Sequence, residues 1–183
     1  MEQEGKKVTY LDLTLASNET LEQYMRNSTA PDVRKLIGYQ FRGYNTLDLT
    51  TVLGFRKFKK GFFSKEEPKH AREPIWGYNV DVQQNGLGEP WIPKDKAPYG
   101  FYRVYPVDPG EKDNLLPNAL LLNYGQGKNP KMDPSGFLRD YLVQVDPEND
   151  DLLLGKAYVA LGSFRLFVSY FVLERYNTSD FSR

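Results

Sequence analysis

A succession of eight strand-like segments, with no helical periodicity after residue 38, is the feature that most restricts the fold of this chain. The segments lie at residues 36–45, 54–63, 75–84, 99–107, 119–125, 136–146, 152–161 and 164–176. They are rich in the aromatic and branched residues that favour strands, and turn-rich pieces separate them. The sequence therefore predicts an all-β protein.

Neighbouring strands are expected to run antiparallel, because the connections between them contain no convincing crossover helix. Eight antiparallel strands can close into an up-and-down barrel whose interior is filled by side chains or holds one small ligand. Closure also removes the sheet edges that promote aggregation. The same periodicity allows an open sandwich of two four-stranded sheets, which is the alternative architecture.

Residues 1–35 are predicted to form a short helical lead-in to this barrel. Ser17 is a favourable N-cap for a first helix, and Gly38 is suited to end a second helical piece. The barrel is then expected to span residues 36–176, and residues 177–183 to form a tail. A chain of 183 residues fits a single domain of this kind.

The composition excludes several kinds of functional site. The chain has no cysteine and one histidine, so it has no disulfide, no thiolate nucleophile and no site that needs two histidines. The sequence contains no nucleophile elbow, phosphate loop or metal-binding motif. Lys and Arg number 24, as do Asp and Glu, so no bulk charge favours nucleic acid. We therefore expect no cofactor, no metal and no nucleic-acid partner.

The sequence also contains no targeting or membrane segment of the usual kinds. The most apolar run near the N-terminus, at residues 8–16, is interrupted by Asp12 and does not have the pattern of a signal peptide. No stretch approaches the roughly 20 apolar residues of a membrane span. We expect no integral membrane association and a cytoplasmic location.

The two ends of the predicted barrel resemble the lipocalin-like (calycin) superfamily. In that superfamily the aromatic residue of a Gly-x-Trp opening strand packs against an arginine at the end of the last strand. Phe41 and Arg175 match these two positions, although Phe replaces Trp and Gly38 lies three residues before it instead of two. The resemblance implies that Arg175 stacks on Phe41 and closes one end of the barrel.

A bacterial lipocalin-like family of unassigned function shows a more specific likeness. Its Gly-x-Trp-x-Gly motif is similar to the run Phe41-Arg-Gly43, and its chains end in a Phe-x-Leu-x-Arg run like that of residues 171–175. The motifs are short, so the resemblance implies the fold and does not supply a ligand.

Arg-x-Tyr triplets provide the candidate ligand contacts. Residues i and i+2 of a strand share a face, so Arg103 with Tyr105, or Arg139 with Tyr141, could hold one carboxylate together. Intracellular fatty-acid-binding proteins, which are also calycins, use an Arg-x-Tyr in this way. We predict that one of the two arginines points into the lumen. The alternative is that both extend to solvent or pair with nearby carboxylates.

Three further aromatic residues are predicted to line the same ligand site: Phe58, Trp76 and Phe171. Aromatic side chains are typical walls of small-molecule cavities. The cationic run at residues 56–60 could instead hold an anionic membrane surface or nucleic acid. The alternative is a solvated strand whose lysines discourage edge pairing.

One lysine is a candidate for acid–base chemistry. Lys156, on the seventh predicted strand, could approach Asp140 or Glu174. A buried pair of this kind would be the best acid–base candidate in the chain, whereas a surface pair would contribute little.

The sequence favours a non-catalytic protein that binds or transports a small hydrophobic ligand, such as a fatty acid or similar acidic lipid, in the barrel lumen. Two alternatives remain open. One is a lipocalin-type enzyme, an isomerase, cyclase or hydratase. The other is a structural or interaction module whose barrel is filled. A homodimer is compatible with all three.

Overall fold

A computed structural model describes residues 7–47 and 54–182. Its eight strands form a closed antiparallel barrel in which sequence neighbours pair and the last strand pairs with the first. The predicted up-and-down barrel is confirmed, and the two-sheet sandwich is excluded. Residues 1–6 of the predicted lead-in and residue 183 of the predicted tail lie outside the described residues.

The strands in chain order are β1 (Tyr39–Asn45), β2 (Lys57–Phe63), β3 (Ile75–Asp81), β4 (Tyr99–Pro106), β5 (Leu120–Asn123), β6 (Leu138–Gln144), β7 (Leu152–Leu161) and β8 (Phe164–Thr178). Short 3-10 helices lie at Val33–Lys35, Tyr124–Gln126 and Pro134–Phe137. Each strand overlaps the segment predicted for it. β5 is shorter than predicted because the chain turns into a 3-10 helix at Tyr124.

Two α-helices precede the barrel, α1 (Tyr10–Thr14) and α2 (Asn18–Asn27). Thr9 caps α1 in a capping box with Asp12, and Ser17 caps α2 by accepting a hydrogen bond from the backbone of Thr20. The helices pack against the outer surface of β7 and β8. Their apolar side chains join a cluster outside the barrel, so the helical segment flanks the sheet.

Alternation along the strands separates this outer cluster from a core inside the barrel. The inner core includes Phe41 and Phe62 and is sealed at one end by Val33 and Leu36, which precede β1. We call this end the closed end. The connections β1–β2, β3–β4, β5–β6 and β7–β8 lie at the opposite end, which we call the open end.

Arg175 contributes to the closed end. It is the register partner of Phe41 in the β1–β8 pairing. Its guanidinium carbon lies 5.1 Å from the ring centroid of Phe41 and 3.9 Å from that of Tyr39. The same group donates hydrogen bonds to Asp151 and to the backbone carbonyl of Lys35. The arginine therefore ties the last strand to the first and to the segment before it.

Aromatic rings that lie over glycines fill much of the lumen. Three inward cross-strand pairs have this form: Gly43 with Phe58, Gly77 with Tyr102, and Gly155 with Phe171. A Cβ added to these glycines would come within 2.3, 2.1 and 2.0 Å of the partner ring. The rings can lie across the neighbouring strand only because no side chain is present there.

We predict that Gly77→Ala destabilises the protein by about 1–3 kcal/mol, because the new methyl group overlaps the buried ring of Tyr102. Gly88→Ala is the matched control, since no atom lies within 4 Å of the added Cβ there. Urea unfolding followed by circular dichroism measures both variants. Equal midpoints for the two variants would contradict the close packing of Tyr102 on Gly77.

Candidate functional site

The interior of the barrel contains a cavity of about 410 Å³ towards the open end. Its walls are mainly apolar and include Phe58, Phe171 and Val159. Phe55 and Tyr99 also line it and are 40% and 45% exposed, so the cavity reaches the surface. The lumen is therefore filled near the closed end and hollow near the open end.

Lys60 and Asp140 form a buried ion pair on the wall of this cavity. The Lys60 Nζ donates to Asp140 Oδ2 at 3.0 Å, to Asn79 Oδ1 at 3.1 Å and to the Tyr124 hydroxyl at 2.5 Å. The side chains of Lys60 and Asp140 are 3% and 5% exposed. Since the Tyr124 hydroxyl itself donates to Asp140 at 3.1 Å, all three acceptors around Nζ suit a protonated amine.

Four aromatic rings surround the same ammonium group. Its Nζ lies 4.7 Å from the ring centroid of Tyr102 and 5.1 to 5.5 Å from those of Tyr124, Phe171 and Phe58. Ring faces attract a desolvated cation. Burial lowers the pKa of Lys60, and the neighbouring Asp140 opposes that shift. The contacts thus favour the protonated amine in a place where burial disfavours it.

Within the part of the chain that the structure describes, the Asp140 carboxylate is bonded through one oxygen only. Both hydrogen bonds that the described residues make to it end on Oδ2, from Lys60 and Tyr124. Asp140 is among the residues that line the cavity. Oδ1 is therefore the acceptor that the described side chains leave for a bound molecule. Asn79 is fixed in the network by donating to the Gly100 carbonyl at 3.0 Å.

The prediction that Arg103 or Arg139 points into the lumen is wrong. Both arginines lie on the outer face of the barrel, where they line a separate groove of about 770 Å³. The inward positions beside them belong to Tyr102 and Asp140. The error arises because both faces of these strands carry aromatic residues, so alternation alone cannot assign the inside.

The tyrosines of the two triplets also face outward. Tyr105 lines the outer groove, where its hydroxyl accepts a hydrogen bond from the Asn123 amide at 2.8 Å. Tyr141 is fully buried in the apolar cluster that also contains the helices. Arg139 donates to Asp113 at 2.9 Å, and Asp113 also binds Arg165. The two triplets therefore do not form a carboxylate site inside the barrel.

The remaining predicted wall residues divide between the two faces. The rings of Phe58 and Phe171 both line the cavity and contact each other edge to face, with centroids 5.9 Å apart. Trp76 is outside it, half-buried on the outer face, with Lys128 Nζ 5.4 Å from its ring centroid. The cavity therefore brings together two of the three predicted aromatic residues.

The interpretation of the cationic run as a solvated strand is wrong, because every residue of β2 is buried. Lys57 and Lys59 face outward over aromatic rings, with Nζ 3.8 Å from the Trp91 centroid and 4.7 Å from the Tyr176 centroid. Lys60 faces inward with Phe58 and Phe62. That alternation was present in the sequence and could have identified Lys60 as a lumen residue.

The predicted lysine–carboxylate pair exists with a different lysine. Lys156 lies on the outer face, where it pairs with Glu22 of α2 at 2.6 Å. Lys60 occupies the position beside Asp140 that the sequence assigned to Lys156. Sequence reasoning found the carboxylate and missed its partner, because the pairing runs across the lumen between strands that are not neighbours.

Comparison of the chain with protein-family models, with curated proteins and with solved structures found no match. Within residues 7–47 and 54–182, no helix is long and apolar enough to cross a membrane. The same residues contain no group of three or more carboxylates or histidines arranged to hold a metal ion. The geometry of the cavity is therefore the basis for assigning a function.

We predict that Asp140→Leu destabilises the protein by about 3–5 kcal/mol, because it leaves the Lys60 cation buried without its partner. The double variant Lys60→Met, Asp140→Leu should recover most of that loss, since it removes both charges. Lys35→Met is the control, because the Lys35–Asp150 pair is solvent-exposed and should cost less than about 1 kcal/mol. Urea unfolding compares them. A single variant that loses no more than the control would contradict a buried pair.

Alkaline pH provides a second test of the site. Burial, reinforced by the negative charge of Asp140, raises the pKa of Tyr102 and Tyr124 well above 10.0. Because the pKa of each tyrosine is raised in the folded state, its contribution to the free energy of unfolding is fully present below pH 10.0. That contribution is lost as the pH rises through the folded-state pKa. Ultraviolet titration of phenolate should show fewer ionised tyrosines in the native than in the unfolded protein. Tyr124→Phe should make the alkaline loss of stability less steep, and an unchanged slope would contradict the assignment.

Proposed function

We propose that the protein binds one small, largely apolar molecule in the open half of the barrel, with a neutral polar group against Lys60, Asp140 and Tyr124. The observation that carries this proposal is the apolar cavity with a buried polar cluster on its wall. Its volume of about 410 Å³ falls within the usual range of ligand cavities. A cavity that reaches the surface also argues against a barrel that serves only as a filled structural module.

The electrostatics of the cavity favour a neutral polar group over an acid. The Lys60 charge is already balanced by Asp140 at 3.0 Å. A ligand carboxylate would add a second anion to a buried site with one cation, and burying an unbalanced charge is costly. A hydroxyl or amide can donate to Asp140 Oδ1 without that cost. The prediction of an acidic lipid rested on an inward-facing Arg103 or Arg139. It is no longer supported, because both arginines lie on the outer face of the barrel.

The resemblance to lipocalin-like proteins supports the same function. Closed eight-stranded barrels of this size can hold one small ligand in the lumen. The contact of Arg175 with Phe41 is the feature that the resemblance implied for the closed end. Membership of that superfamily, a homodimer and a cytoplasmic location remain predictions.

Acid–base catalysis is a second candidate function for the same cavity. Perturbed titratable groups that meet beside a cavity are typical of catalytic sites. The lowered pKa of Lys60 makes its ammonium group a better proton donor, and the Tyr124 hydroxyl lies 2.5 Å from its Nζ. An isomerase or cyclase that moves one proton would need no further group. Turnover of a bound ligand separates this candidate from simple binding.

Ligand binding can be tested with a fluorescent fatty alcohol and the fatty acid of the same chain length. We expect the alcohol to bind more tightly, because its hydroxyl can donate to Asp140. Val168→Trp places a larger side chain in the cavity and should weaken the affinity for the alcohol by at least about tenfold. Arg103→Ala is the control and should leave both affinities unchanged, since Arg103 lies outside the lumen.

The opposite pattern would overturn the proposal. Tighter binding of the acid, together with its loss in Arg103→Ala, would restore the carboxylate site predicted from the sequence. Binding that Val168→Trp does not change would place the ligand outside the cavity. Circular dichroism of each variant checks that the fold is intact.

A further inference from the structure

The outer groove of about 770 Å³ brings together arginines from three strands. Arg103 of β4, Asn123 of β5 and Arg139 of β6 are register partners, so they form one row across three neighbouring strands. Neighbouring strands lie about 4.8 Å apart, which places the backbones of the two arginines about 10 Å from each other. Arg165 of β8 lines the same groove. Three guanidinium groups therefore share one site on the outer face of the barrel.

Asp113 holds two of these arginines and is bonded through both of its oxygens. Its Oδ2 accepts a hydrogen bond from Nε of Arg139 at 2.9 Å, and its Oδ1 accepts one from Nε of Arg165. Nη1 of each arginine donates to two backbone carbonyls at 2.7 to 3.0 Å. The two arginine side chains are only 16% and 8% exposed. Both guanidinium groups are thus fixed in advance, which reduces the entropic cost of binding a ligand.

Several hydrogen-bond donors in the groove are left unused. Among the described residues, Nη2 of Arg139 and Nη2 of Arg165 have no hydrogen-bond partner, and both nitrogens keep accessible surface. Arg103 pairs with no described carboxylate, and its side chain makes one long hydrogen bond, to Gln126 at 3.4 Å. The Tyr105 hydroxyl accepts two hydrogen bonds from side-chain amides, so its own proton remains to be donated. Four residues therefore offer donors to one groove, as a site for an anion requires.

The charge of the groove matches an anion with two negative charges. Its half-buried charged groups are three guanidinium groups and the Asp113 carboxylate, which leaves two positive charges. Asp108, Glu111 and Lys112 lie at the exposed rim, where solvent and salt screen their single net negative charge. A phosphate monoester carries about −1.5 to −2 charges at pH 7, and arginine suits the geometry of its oxygens. A carboxylate would balance only one of the two charges.

We propose that the outer groove binds a small phosphate monoester. The phosphate group lies between Arg103 and the Nη2 atoms of Arg139 and Arg165, and the Tyr105 hydroxyl is a further donor to it. The organic part of the ligand packs on the ring of Phe137, which lines the groove and is 55% exposed. The groove volume is within the usual range for one small molecule. This site lies on the opposite face of the sheet from the cavity in the lumen and does not depend on the function proposed for that cavity.

Isothermal titration calorimetry with phenyl phosphate tests the proposal. We expect saturable binding at one site, and binding at least about tenfold weaker for benzoate, which has the same ring and one charge. Arg103→Gln should weaken the affinity for phenyl phosphate by at least about tenfold, because it removes a charged hydrogen bond. This variant should fold, since Arg103 is half-buried and has no described ion-pair partner. Arg34→Gln is the matched control, because Arg34 does not line the groove.

A second variant tests the organic part of the ligand. Phe137→Ser should weaken the binding of phenyl phosphate and leave that of inorganic phosphate unchanged, because the ring contacts only the organic group. An equal loss for both ligands, or no loss for either, would overturn the packing on Phe137. Circular dichroism checks that each variant is folded.

Three results would overturn the groove as a phosphate site. They are the absence of saturable binding, an affinity for benzoate equal to that for phenyl phosphate, and an Arg103→Gln variant that binds phenyl phosphate as tightly as Arg34→Gln. Competition with the fluorescent fatty alcohol separates the two sites. Phenyl phosphate that displaces the alcohol would place both ligands in the lumen and would also overturn the inference.

Discussion

Closure of an eight-stranded sheet creates an interior that must be filled or left as a cavity, and the glycine–aromatic pairs decide which. Rings of Phe58, Tyr102 and Phe171 lie over glycines of neighbouring strands and occupy space that ordinary side chains would share. Tyr102 and the sealed closed end fill one half of the barrel, whereas Phe58 and Phe171 form walls of the cavity. The other half keeps a cavity of about 410 Å³. The position of the candidate site is therefore a consequence of where the glycines stand in the strands.

The same rings make a buried charge tolerable at the cavity wall. An ammonium group in this place would be costly alone, but Lys60 is surrounded by three acceptors and four ring faces. A well-packed apolar pair could give similar stability, so stability does not explain why the charges are present. Their place beside a cavity suggests instead that they orient a bound molecule. The packing of the lumen is thus linked to the polarity of the ligand that it favours.

The sequence predicted the strands and the closed barrel because alternation and turns are local signals. It could not assign which face of β4 and β6 points inward, since the outer face is apolar as well where α2 and the long connections cover it. Tyr141 is buried outside the barrel for that reason, and Asp140 takes the inward position. The sequence also could not predict which lysine pairs with Asp140, because that pairing depends on contacts across the lumen. The alternation of Lys60 with Phe58 could have predicted that Lys60 faces inward. The neighbouring lysines instead made the run resemble a solvated strand.

One hairpin links the cavity to the exposed surface of the open end. Val159 of β7 and Val168 of β8 line the cavity, and the apolar tip lies a few residues beyond them. A bulge gives Val168 no direct partner in the register between Ala157 and Tyr158, which allows its strand to change direction there. The stem is held from outside by Glu22 of α2, which binds both Lys156 of β7 and Tyr170 of β8. With its stem held from outside and Val159 and Val168 on the cavity wall, this hairpin joins the interior of the barrel to the exposed apolar residues at its tip in a single structural element.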